Sequence, residues 1–90
     1  MPKYVIEREI PGAGDMSTSD RKGAADKSNS VLAELGDQIQ WVHSYFTPDK
    51  VYCVYLAPSA DIIQRHADLS GFPANRISEV VALADPTTAN

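Results

Sequence analysis

The sequence predicts an α+β, ferredoxin-like βαββαβ sandwich: a four-stranded antiparallel sheet with two helices on one face. Three observations predict it. Segments rich in β-branched and aromatic residues recur four times, at residues 3–10, 39–46, 51–57 and 76–83. Two stretches with helical spacing and end signals separate them as strand, helix, strand, strand, helix, strand. A TPDK turn joins the middle strands directly, which makes them a hairpin.

KYVIEREI, residues 3–10, alternates in part and opens the chain as a strand that Pro11-Gly12-Ala13-Gly14-Asp15 breaks. Ser17 is placed to cap a helix, with Asp20 in the first turn where negative charge suits the helix dipole. Ala24, Ser28, Val31, Leu32 and Leu35 share one stripe, and Gly36 stops the helix. Its first half, SDRKGAADKSNS, is poor in apolar side chains, so packing of the later turns must hold it. IQWVHSYF and VYCVYLA form the hairpin around a Thr47-Pro48-Asp49-Lys50 turn. Ser59 caps the second helix, on which Ile62, Ile63, His66, Ala67 and Ser70 face one way until Gly71 ends it. RISEVVAL is the last strand. Residues 1–84 thus make one domain, and 85–90, DPTTAN, a loose polar tail.

The chain has 90 residues, 43% of them hydrophobic and 22% charged, with a net charge of −4. That balance lacks the basic patch a nucleic-acid partner requires. No apolar run approaches the roughly 18 residues that would cross a bilayer, and MPKYVIERE begins as a strand rather than a signal peptide. One cysteine forms no intrachain disulfide. The expected setting is therefore cytoplasmic, without a membrane partner.

In this fold the sheet face opposite the helices is bare in a monomer. Neither alternate set of the second strand is polar: Trp41 and Tyr45 lie on one side, Val42 and Phe46 on the other. An exposed aromatic face predicts a homodimer packed sheet against sheet, which also supplies core that a small domain lacks. With Val42 and Phe46 toward the helices, Trp41, His43 and Tyr45 occupy the open face. With Ile6 and Val80 inward, Glu7 and Glu79 join His43 there, an imidazole-and-carboxylate set of the kind nickel, zinc or cobalt accepts. Cys53 depends on the hairpin register. Pairing Phe46 with Val51 sets it among core residues, whereas pairing Thr47 with Val51 brings it to the face of His43.

Each group also has a plainer reading. Cys53 is then a small buried hydrophobe, His43 a histidine satisfied at the dimer interface, and His66 a side chain at the rim of an apolar stripe. Glu7 and Glu79 become partners of Arg8, Arg76 or a cation of the second chain, and Trp41, Tyr45 and Tyr55 become packing groups. There is no CxxC, HxH, HExxH, nucleophile elbow or phosphate loop, so no catalytic residue and no organic cofactor is indicated.

The segments EREIPGAGD, IQWVHSY, DKVYCVYLAP and GFPANRISEV, followed by DPTTA, resemble a widespread family of small bacterial proteins known as a domain of unknown function. Its best-characterised type is a nickel-binding protein with a dimeric ferredoxin-like fold. The likeness runs nearly the whole chain. It implies nickel binding on a dimer, with sequestration or detoxification as the role and no established enzymatic reaction. His43, Cys53, His66 and Glu79 occupy motif positions, which adds His66 to His43, Glu7 and Glu79 as expected metal ligands. The chain departs from the pattern in its polar, glycine-containing first helix and in the KSNSVL segment, where many relatives carry a cysteine at about the place of Asn29. A dimeric α/β-barrel-type enzyme or small-molecule-binding domain, with a pocket near His43 as its proton carrier, is the alternative.

Overall fold

Central strand β1 (Lys3–Glu9) pairs antiparallel on one side with β3 (Lys50–Leu56) and on the other with β4 (Arg76–Val80), and β2 (Gln40–Phe46) closes the far edge. The computed structural model describes residues 1–90. Helices α1 (Thr18–Leu35) and α2 (Ala60–Ser70) complete the ferredoxin-like order, with the sheet arranged β2-β3-β1-β4. The core forms where Leu32, Leu35 and Ile63 of the helices meet Tyr4, Ile6, Val51, Cys53 and Tyr55 of the sheet.

End signals act much as their chemistry dictates. The Ser17 hydroxyl accepts from the Asp20 backbone N–H at 3.0 Å and caps α1. Gly71 ends α2 at φ 80°, donating to the Ala67 carbonyl at 2.9 Å. Ser59 holds the cap position of α2 in extended backbone, but its side chain makes no capping bond. The hairpin closes with Thr47 opposite Lys50, the Thr47 N–H donating to the Lys50 carbonyl at 2.9 Å, so Phe46 faces Val51. The segment after β1 leans on this turn: Gly14 N–H donates to the Pro48 carbonyl and Gly12 N–H to Asp49 Oδ1.

Three placements differ from the sequence reading. Pairing in β2 steps from Trp41↔Tyr55 to His43↔Val54, so Val42 is an extra, bulged residue. The bulge reverses parity and turns Trp41 to the helix face, leaving Val42 exposed, the opposite of the expected arrangement for both. On β4, Ile77 pairs with Ile6 and Glu79 with Tyr4, so Ile77 packs toward the core while Val80 takes the open face. β4 also stops at Val80, three residues early. Its last partner is Lys3, the first residue of β1, and beyond that pair Val81 and Leu83 stand 92% and 74% exposed. After them Asp85 caps a short 3-10 turn at Pro86–Ala89.

Candidate functional site

The open face of the sheet is built from the side chains that alternate away from the helices. One row across the strands runs Tyr45, Tyr52, Glu7, Arg76, and the next His43, Val54, Val5, Ser78. Glu7 Oε1 accepts from Lys50 Nζ at 2.9 Å and from the Tyr52 hydroxyl at 3.3 Å. The Lys50 hydrogen bond, its charge, Tyr52 and Arg76 hold the Glu7 carboxyl below its usual range against the opposing effect of desolvation. Lys50 is raised in turn, chiefly by Glu7. His43 is exposed on the edge strand, its ring edge-on to Tyr45 with centroids 4.9 Å apart. Val54, although on the face without helices, is buried among its neighbours.

The helix face carries a different set. In α1 the residues over the sheet include Ala24, Ala25 and Ser28, too small to fill the layer beneath them. A cavity of about 590 Å³ results, walled by Trp41, Phe46, Val51, Phe72 and Met16. A chain of hydrogen bonds runs along its wall. Trp41 Nε1 donates to Ser44 Oγ at 2.9 Å, and Ser44 Oγ donates to the Cys53 sulfur at 3.0 Å. Arg8 Nε donates to the same sulfur at 3.3 Å and its Nη1 to the Pro73 carbonyl at 2.8 Å. The Arg8 Nη2 is buried without any partner. Burial, and then the Cys53 sulfur, push the Tyr55 hydroxyl up, partly offset by Arg8 and Ser28.

His66 lies on the inner face of α2, fully buried, its Nε2 hydrogen-bonded with Ser28 Oγ at 3.1 Å and its Nδ1 unpartnered. Burial first, then the Arg8 charge, lower its pKa, while a Ser28 hydrogen bond opposes them.

The four residues expected to share a metal therefore separate. His43 and Glu7 share the open face but lie on strands β2 and β1, with β3 between them and their rows one step apart. Glu79 lies across the sheet, on the side of Tyr4, because the parity of β4 is the reverse of the expected one. His66 is enclosed between helix and sheet. No three His, Cys, Asp or Glu side chains of the chain come together to hold a metal ion. Cys53 falls in the core register, on the face away from His43, and the cavity that the alternative reading placed near His43 opens on that other face instead. Arg8 was not singled out from the sequence. The signal was available: Tyr4, Ile6 and Arg8 alternate on one strand, so a core-facing Ile6 puts a guanidinium in the core.

A family model for nickel responsive proteins of the SCO4226-like type matches residues 4–80. The chain belongs to the SCO4226-like family. No curated protein matches it in sequence. Among solved structures it is similar to SCO4226 from Streptomyces coelicolor A3(2), with a TM-score of 0.76, 20% identity, and coverage of 91% of this chain and 99% of that one. At that identity the likeness speaks for the fold. The SCO4226-like match ends at Val80, the last residue of β4, so it takes in both helices and all of the sheet but Lys3, and leaves out the segment carrying Val81 and Leu83. No helix is long and apolar enough to cross a membrane.

Proposed function

We propose that the protein binds nickel ions as cargo in a homodimer, at the open sheet face, with a role in sequestration or detoxification. The observation that carries this reading is membership of a family described as nickel responsive. The geometry directs it to two chains: one copy gathers no three donors, yet His43 stands exposed on the uncovered face. Imidazole and carboxylate are donors that nickel accepts. Packing two open faces sets His43 of one copy against the acids of the other, and Glu7 is the carboxylate that the middle of that face provides. Since Lys50 already holds Glu7, metal entry competes with that ion pair. His66 and Glu79 stand outside this donor set, one enclosed in the core and the other on the far face.

The test is a calorimetric nickel titration of tag-free protein, with the mass followed by sedimentation. Binding at micromolar nickel and a mass of twice 9.8 kDa are expected, with affinity lowered at least about tenfold in His43→Ala. No heat at micromolar nickel removes the function. Normal binding by His43→Ala removes the ligand assignment.

A further inference from the structure

The buried guanidinium of Arg8 is the least compensated group in the molecule. It is 2% exposed, and both ion pairs of the chain, Lys22–Asp26 and Lys50–Glu7, lie elsewhere. Its hydrogen bonds go to a sulfur and a peptide carbonyl, and the Phe72 ring lies 5.6 Å from its charged carbon. One N–H₂ group remains without an acceptor. A buried charge without a counter-charge is costly, and an unmade hydrogen bond adds to that cost. Arg8 is one of the residues lining a cavity large enough for a small organic molecule.

The cavity's own charges point the same way. Arg8 and Arg21 line it against a single acid, Glu9, in a chain whose net charge is −4. The remaining wall is largely apolar. One unpartnered donor group among apolar walls matches a singly charged, planar oxyanion on a hydrophobic body, since a guanidinium pairs with a carboxylate fork to fork.

We propose that the cavity between α1 and the sheet binds a small organic monocarboxylate, its carboxylate on Arg8 and its apolar body against Trp41, Phe46 and Phe72. The site lies on the opposite side of the sheet from His43 and stands or falls independently of nickel binding.

Trp41 is the chain's one tryptophan, so its emission reports this cavity directly. Titration of the full chain with octanoate, and with octanamide as its neutral counterpart, gives the test. Octanoate is expected to change the emission saturably and to bind at least about tenfold more tightly than octanamide. Arg8→Met should abolish that preference, and Ala25→Leu, which fills cavity space while Arg8 is kept, should weaken both ligands. No saturable change with octanoate overturns the proposal. So does equal affinity for octanamide, unchanged octanoate binding in Arg8→Met, or unchanged binding in Ala25→Leu. If Arg8→Met does not fold, the octanoate-to-octanamide ratio in the unaltered chain and the Ala25→Leu variant decide the matter.

Discussion

Arg8 Nε donates to the sulfur of Cys53 at 3.3 Å, across the β1–β3 pair and inside the protein core. This contact ties the single cysteine to a buried charge, and Ser44 binds the same sulfur from β2 at 3.0 Å. Both residues are over nine-tenths buried.

Replacing Arg8 should have consequences that differ in size according to the shape of the new side chain. Arg8→Ala removes the donors to Cys53 and Pro73 and enlarges the void, and should cost about 2–4 kcal/mol in urea denaturation. Arg8→Met keeps the volume and removes the uncompensated charge, and should stay within about 1 kcal/mol of the unaltered chain. Equal losses in the two variants would show that the charge itself stabilises the fold.

Cys53 should be slow to react. Burial shields its sulfur from an aromatic disulfide reagent, so native protein should be labelled at least about 100-fold more slowly than protein in urea. Fast labelling without denaturant would mean that the layer under α1 opens readily.

His66 gives stability a pH dependence. Its folded pKa lies below the ordinary value of 6.5, so the unfolded chain takes up the proton first. Its contribution is complete above pH 6.5 and declines as the pH falls from there toward the folded value. Melting temperatures measured downward from pH 7.5 should show this decline, and His66→Gln should flatten it. A variant with an undiminished slope would assign the effect to other groups.

Two glycines should respond with opposite sign to alanine. At Gly14 an added Cβ would sit 2.8 Å from Pro48 Cα and 3.2 Å from the Thr47 carbonyl, both backbone atoms. Gly14→Ala should therefore cost about 1–3 kcal/mol by driving the loop off the hairpin turn. At Gly23, inside α1, nothing lies within 4 Å, and Gly23→Ala should stabilise by about 0.4–1 kcal/mol. Thermal melts of the pair test both; a stable Gly14→Ala would mean that the loop does not depend on that contact.

The order and kind of the elements were legible because each rests on local chemistry. Ser17 caps, Gly36 and Gly71 end helices, and TPDK closes a two-strand hairpin whatever the remainder of the chain does. The alternation in β1 likewise determined that Glu7 faces away from Tyr4, Ile6 and Arg8. Family likeness, too, follows from segments spread along the chain.

The faces of β2 and β4 were decided only by tertiary packing. A strand's alternation holds until one bulged residue reverses it, and Val42 does so in exchange for seating the Trp41 ring beside Tyr55 and Ser44. On β4 both parities offered an apolar residue, and contact of Ile77 with the core settled which turned inward. That choice carried Glu79 away from His43. The same packing left Arg8 with an unpartnered donor group beside a cavity, because Ala24, Ala25 and Ser28 leave space that no neighbouring side chain fills. A sequence names the groups able to do chemistry; which of them meet depends on register, where a one-residue step moves a side chain through the sheet.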